Sequence, residues 1–157
     1  MQFFTDSNMQ FPLVELSLNQ GETVFIQRGS MVYHTPNVTL STKLNASGSG
    51  LGRCVKAVGR SMVSGESSFI TQVVSQSNNG YIALAPDSPG QVIPLYLGEK
   101  QYRLNDGAFL ALDGTAYYTM ELQSVGKAIF GGQGGFFVMT TQGQGLSLIH
   151  ISEPTRL

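Results

Sequence analysis

Four basic side chains in one short region are the residues of this chain best suited to binding chemistry. Arg53, Lys56 and Arg60 recur at i, i+3 and i+7, the spacing that places side chains on one face of a helix, and Lys43 precedes them. Cations in such a stripe bind phosphate, lipid headgroups or an acidic protein surface. An ordinary solvent-facing helix carries the same stripe, and the sequence leaves both interpretations open.

Other stretches resemble catalytic, phosphate-binding or metal sites, and each is better explained by a structural role. Glu66 has no neighbouring carboxylate, histidine or lysine to act with it, which favours a hydrogen-bonding turn residue. The glycine-rich stretch 131–135 is followed by a strand pattern that starts at Phe136, whereas a phosphate-binding loop leads into a helix. His34 and Cys54 are fewer than the three or four ligands of a zinc site. We predict no catalytic residue, no metal and no cofactor.

A packing pattern recurs along the chain. Residues 60–70 run cation, small, apolar, apolar, small, Gly, Glu, small, small, Phe, apolar, and residues 127–137 repeat this order with Gln for Glu. Upstream, 14–44 aligns without a gap on 92–122, at an offset of 78; the motif offset is 127 − 60 = 67, so the first copy carries 78 − 67 = 11 extra residues. The pattern predicts one unit present twice, with chance similarity between alternating strands as the alternative. The key motif positions are Gly29, Gly65, Glu66 and Phe69 in the first copy and Gly107, Gly132, Gln133 and Phe136 in the second.

Short alternating strands separated by turns predict the secondary structure of both copies. Residues 14–18 and 23–27 are typical examples, and together the runs indicate antiparallel all-β structure. The extra residues of the first copy differ, because apolar side chains between Leu51 and Met62 fall at helical spacing. The predicted fold is a duplicated antiparallel β-sandwich or barrel with one inserted amphipathic helix.

Composition narrows the class of protein. A length of 157 residues suits one domain, and a net charge of −1 provides no global field to recruit nucleic acid or an anionic membrane. A single cysteine, Cys54, fits a reducing compartment. The N-terminal residues lack the pattern of a signal peptide, and no stretch approaches the about 20 apolar residues of a membrane span. We therefore predict a cytoplasmic protein without a transmembrane segment.

Residues 146–157 are set apart from the repeat pattern. They resemble a translated sequencing adaptor, which predicts a poorly packed foreign tail and a native chain that continued beyond Gly145. The predicted domain is then 1–145, with two similar lobes at about 13–90 and 91–145, the second incomplete.

An ordered series of motifs carries a resemblance to a known family. In this order the motifs resemble the altered inheritance of mitochondria protein 24 family, also called the mitochondrial biogenesis family, over about 13–145. The resemblance implies a fold similar to the trp RNA-binding attenuation protein, a homo-oligomer for which a trimer is one option, and no established enzymatic activity. Gln133 stands where members often have Glu. The motifs are 29–32, 60–71, 85–90, 107–111 and 129–134.

Three functions follow as hypotheses. The leading one is a non-enzymatic oligomeric binding or scaffold protein that meets an unknown protein or anionic partner through Lys43, Arg53, Lys56 and Arg60. The second is a nucleic-acid-binding module, suggested by fold analogy and the basic stripe but disfavoured by the net charge. The third is a small-molecule-binding protein or enzyme with a site between the lobes.

Overall fold

The computed structural model describes residues 1–6, 9–41, 70–123 and 136–152. Within these ranges the chain forms thirteen strands and one 3-10 turn, Asp106–Ala108. The strands are β1 Gln2–Thr5, β2 Val14–Leu18, β3 Thr23–Gln27, β4 Met31–His34, β5 Val38–Ser41, β6 Ile70–Ser75, β7 Gly80–Leu84, β8 Gly90–Leu97, β9 Arg103–Asn105, β10 Phe109–Asp113, β11 Ala116–Gln123, β12 Phe136–Gly143 and β13 Gly145–Ser152. The all-β prediction is confirmed for this part of the chain.

The strands form three antiparallel sheets that stack as three layers. The orders are β1-β2-β7-β4, β5-β6-β3-β10-β13-β8 and β11-β12-β9. One cluster of buried side chains joins the four-stranded sheet to the six-stranded sheet, and a second cluster joins the six-stranded sheet to the three-stranded one. The six-stranded sheet is therefore the middle layer, with both of its faces covered.

Alternation along β3 shows how the sequence builds the middle layer. Val24 and Ile26 contribute to the first buried cluster, while Phe25 between them contributes to the second. Successive side chains of a strand point to opposite faces, so an uninterrupted apolar run is what a strand buried on both faces requires. The ring of Phe25 meets the ring of Tyr118 on β11 edge-on, with centroids 5.6 Å apart, and burial raises the pKa of Tyr118 to about 12.

The strand order within the sheets recurs along the chain. We call β2 to β7 the first set and β8 to β13 the second set. Within the first set the pairing orders are β2-β7-β4 and β5-β6-β3; the corresponding orders in the second set are β8-β13-β10 and β11-β12-β9. Each set thus pairs its first, sixth and third strands together, and its fourth, fifth and second strands together. The duplication itself stays a prediction, and this shared order is the feature that supports it.

A β-bulge recurs at the same place in both sets. The β4–β7 register shifts between Met31 and Tyr33, and the β10–β13 register shifts between Phe109 and Ala111. The offsets are 109 − 31 = 78 and 111 − 33 = 78, which equal the sequence offset. Because bulges re-aim a strand locally, β4 and β10 change direction at equivalent positions.

The offset between β6 and β12 is one residue longer than the sequence pattern predicts. Gln72 lies opposite Phe25 and Ser41, and Thr140 lies opposite Arg103 and Thr119. With partners 78 apart in both cases, the central strands differ by 140 − 72 = 68, not 67. Shifting a strand by one residue moves each of its side chains to the opposite face of the sheet. The glycine-rich sequence before β12 carries no pattern that shows this shift.

The prediction of a poorly packed tail after Gly145 is wrong for its described residues, 146–152. Together with Gly145 they form β13, which pairs over its whole length with β8 and also with β10. Leu148 is fully buried in the first cluster, and the next residue, Ile149, belongs to the second. The residues of β13 alternate apolar and polar over 146–148 and again over 149–152, a strand signal that the resemblance to an adaptor sequence outweighed.

The predicted amphipathic helix between Leu51 and Met62 lies outside the described residues. Among the residues that are described, no helix is long and apolar enough to cross a membrane.

Candidate functional site

Most residues singled out from the sequence lie outside the described ranges. These are the basic residues Lys43, Arg53, Lys56 and Arg60 and the motif residues Gly65, Glu66, Phe69, Gly132 and Gln133. Phe136 is the first residue of β12. Gly29 and Gly107 are described together with their surroundings, and they direct attention to the strands that follow them.

Gly29 and Gly107 each precede the strand that carries the bulge. Gly29 lies in the β3–β4 turn with a φ of +85°, a left-handed conformation that glycine adopts without steric cost. The hydroxyl and the backbone N–H of Ser30 both donate to the carbonyl of Gln27, at 2.8 and 3.2 Å, which closes this turn. Gly107 lies in the 3-10 turn before β10. The role of Gly29 is thus to set the direction in which β4 enters its sheet.

The strand β4 is exposed, whereas its counterpart β10 is buried. Met31, Val32 and Tyr33 are 37%, 55% and 47% exposed. The residues 78 positions later, Phe109, Leu110 and Ala111, are 2%, 0% and 0% exposed. In the six-stranded sheet β10 has neighbours on both sides, β3 and β13, whereas β4 forms an edge of the four-stranded sheet. Among the described strands, β10 also lies in the middle layer with both faces covered, whereas β4 lies in an outer layer and at its edge, and these positions account for the difference in exposure.

Beside this edge, two tyrosines and a glutamate form a cluster on the outer face of the four-stranded sheet. The rings of Tyr33 on β4 and Tyr81 on β7 stack with centroids 5.9 Å apart and planes 23° from parallel. Hydrogen bonding of the Tyr81 hydroxyl with the carboxylate of Glu15, together with partial burial and the hydroxyl of Tyr33, raises the pKa of Tyr81 far above its ordinary value. Glu15 lies between the buried residues Val14 and Leu16, so its side chain must leave the sheet on the outer face.

Strand pairing extends the cluster into a row across the sheet. Phe4 on β1 lies opposite Glu15, Glu15 lies opposite Ala83 on β7, and Ala83 lies opposite Tyr33. Phe4 is 65% exposed. We call Phe4, Glu15, Tyr33 and Tyr81 the aromatic face. It combines exposed rings with a hydrogen-bonded carboxylate, the composition of a surface that binds another macromolecule.

The chemistry available at the aromatic face is that of binding. Tyr81 keeps its proton at neutral pH, as a tyrosine with an ordinary pKa of about 10 does, and hydrogen bonding to Glu15 raises its pKa further. The phenol therefore donates to Glu15 and does not serve as a base. Among the described residues, no group of three or more His, Cys, Asp and Glu side chains is arranged to hold a metal ion.

The internal repeat of the sequence points to the aromatic face, whereas the polarity of its individual residues does not. Gly29 to Val32 align with Gly107 to Leu110, so the repeat marks β4 as equivalent to β10. Whether the strand is covered depends on which strand lies beside it, and that information resides in the pairing of distant segments.

Comparison with protein families settles the relationship of this chain. A family model described as mitochondrial biogenesis AIM24 matches residues 4–155. The chain belongs to the mitochondrial biogenesis AIM24 family. The match includes most of the segment interpreted from the sequence as foreign, and it gives that interpretation no support. The fold comparison with the trp RNA-binding attenuation protein stays a prediction.

Two streptococcal relatives of this AIM24 family chain are similar over nearly all of its length. An uncharacterized protein of Streptococcus pyogenes serotype M6 is 67% identical over 148 residues, which cover 94% of this chain and 59% of that protein. A crystal structure of a Streptococcus pyogenes protein is 60% identical, with a TM-score of 0.74, and the alignment covers 96% of this chain and 64% of that one. The chain therefore spans less than two thirds of the length of both relatives.

Proposed function

We propose that this AIM24 family chain is a non-enzymatic binding or scaffold protein that works as a homo-oligomer and assembles through β4 and the aromatic face. The observation that carries the proposal is the contrast between exposed β4 and buried β10. The two strands hold the same place in their sets, and among the described residues only β10 is buried and has a strand on each side.

An exposed edge strand supports this proposal physically. Unpaired N–H and C=O groups along an edge attract another strand, and soluble proteins block such edges with proline, charge or a covering segment. The edge strand β8 carries Pro94 at its middle, whereas β4 has the sequence Met-Val-Tyr-His, without proline, acid or lysine. The four residues of β4 are suited to pairing with a further strand.

The aromatic face supports a binding role more than a catalytic one. Tyrosine and phenylalanine are enriched at the centres of protein interfaces, because a large ring contributes contact area at low conformational cost. Glu15 accepts a hydrogen bond from Tyr81, so the carboxylate is already partnered before a second molecule arrives. Because Glu15 already has a hydrogen-bond partner, burying the aromatic face costs less free energy than burying an unpaired carboxylate.

The molar mass in solution tests the proposal. Light scattering on the wild type should give a multiple of the 16.9 kDa chain mass. Val32→Lys places a charge on exposed β4 and should return the mass to that of one chain, while the circular dichroism spectrum stays unchanged. Tyr96→Lys is the matched control, because Tyr96 is 73% exposed on the edge strand β8.

The control variant should assemble like the wild type. A wild-type mass of one chain across the accessible concentration range would refute assembly. A Val32→Lys variant that keeps the wild-type oligomer would show that the chains associate elsewhere.

A further inference from the structure

One contact inside the chain shows how two sets of strands join. The second strand of the first set, β3, pairs with the third strand of the second set, β10, in antiparallel register. The pairs are Ile26 with Ala111, Phe25 with Leu112, and Val24 with Asp113. This junction fuses two three-stranded halves into the six-stranded middle layer.

The strands equivalent to this junction are both edges. β9 is the second strand of the second set and lies at one edge of the three-stranded sheet; β4 is the third strand of the first set and lies at one edge of the four-stranded sheet. The two sheets cover opposite faces of the middle layer. Within one chain β4 and β9 are therefore separated by that layer and cannot pair with each other.

We infer that β4 of one molecule pairs with β9 of a second copy of this chain and reproduces between molecules the junction that β3 and β10 form within one. The inference rests on the proposed assembly and names the two surfaces that meet. The register of the inferred pairing comes from the β3–β10 pairs. Subtracting 78 from the number of each β10 residue gives the residue on the β4 side, and adding 78 to the number of its β3 partner gives the residue on the β9 side. Tyr33 lies opposite Leu104, His34 opposite Arg103, and Thr35 opposite Tyr102.

The lengths and exposures of the two strands fit this pairing. Of the three inferred pairs, those of Leu104 and Arg103 lie within β4 and β9, and the third joins the residues next to the strands, Thr35 and Tyr102. In β3, Val24, Phe25 and Ile26 are all buried, whereas among their counterparts only Leu104 is buried, Tyr102, the residue before β9, is half-buried and Arg103 is exposed. Both edge strands thus show less burial than their counterparts.

The aromatic face occupies a position that is buried in the second set. Tyr33 pairs with Ala83 as Ala111 pairs with Leu148, next to the recurring bulge. Ala111 and Leu148 are fully buried in the first core cluster, against the four-stranded sheet. In the assembly, the neighbouring molecule that supplies β9 also covers Tyr33, and the stacked tyrosines become part of the interface.

The inferred contact is heterologous, because it joins two different edges. Each chain carries one β4 and one β9, so every molecule offers one edge and uses the other. Repetition of one such contact closes a ring when the rotation allows it and otherwise extends a filament. An isologous dimer, in which β4 meets β4, is a different arrangement and makes a different experimental prediction.

Cysteine cross-linking tests the register in the full chain. The starting protein is Cys54→Ser, which removes the single native thiol. His34→Cys and Arg103→Cys are then introduced singly and together. Directly opposed residues of antiparallel strands lie about 4.5–5.5 Å apart at Cα, within disulfide range. The double variant should form disulfide-linked species of two or more chains under mild oxidation.

Each single variant should remain uncross-linked by itself, and an unfolded and refolded mixture of the two should give a linked pair. Tyr96→Cys combined with Arg103→Cys is the geometric control and should not cross-link. Linkage by His34→Cys alone would show β4 against β4 and overturn the inference. A double variant that assembles without linkage would overturn the register while the proposed function stands; a wild type with the mass of one chain would refute both.

Discussion

Gly114, in the turn between β10 and β11, shows how closely two backbone segments approach in this fold. Its N–H donates to the carbonyl of Thr23 at 2.9 Å. A Cβ at this position would lie 2.6 Å from that same oxygen and 2.7 Å from the Cβ of Thr23. The nearest atom is thus the backbone oxygen of Thr23 in the middle layer, and a backbone atom cannot rotate out of the way as a side chain can.

We predict that Gly114→Ala destabilises the fold by about 1–3 kcal/mol, the usual range for inserting an atom where none fits. Gly98→Ala is the matched control, because a Cβ there meets nothing within 4 Å. Urea denaturation of both variants measures the difference. Equal midpoints would show that the Gly114 turn relaxes and that the close approach to Thr23 carries little energy.

At the scale of the element, β13 joins both cores. It lies between β8 and β10 in the six-stranded sheet, and its Leu148 is fully buried. Leu148→Ala should cost about 2–5 kcal/mol, from lost burial and the cavity that remains. Ile151→Ala on the same strand is the control, since Ile151 is 48% exposed. Thermal unfolding in which both variants shift alike by a degree or less would restore the interpretation of 146–152 as part of a dispensable tail.

The strands that were correctly predicted from the sequence are the half-buried ones. β2 alternates buried Val14, Leu16 and Leu18 with more exposed residues, and this alternation is visible in the sequence. β13 carries a similar alternation over 146–148 and 149–152, but this segment was set apart because it resembles an adaptor sequence. The one-residue register of β12 depends on its pairing with β9 and β11, and local sequence does not encode such pairing.

The aromatic face could not be predicted from local sequence for a related reason. Glu15, Tyr33 and Tyr81 come from three strands whose order in the sheet is β2-β7-β4, so residues 66 apart in the chain, Glu15 and Tyr81, share a hydrogen bond. Within the described part of the chain, β4 is exposed because it lies at the edge of an outer sheet. The repeat in the sequence identifies β4 as equivalent to β10, but it does not identify a strand that pairs with the edge of β4.

At the scale of the whole molecule, the chain has a covered middle and two unequal outer layers. β3 of the first set pairs with β10 of the second set. Their counterparts, β9 in the second set and β4 in the first, are edge strands of the two opposite outer layers. Among the described residues, a single chain therefore contains one of the two equivalent junctions. The proposed assembly forms the second junction between two molecules.

Hydrogen–deuterium exchange of the wild type, compared with Val32→Lys, tests this account most directly. Amide protons in paired strands exchange through opening, whereas amides on a free edge exchange rapidly. In the assembled wild type, we predict slow exchange for peptides that contain β4 and β9, and faster exchange in both when Val32→Lys separates the chains. The edge strand β8 should exchange alike in the two proteins. Rapid exchange in both β4 and β9 of an assembled wild type would contradict the account.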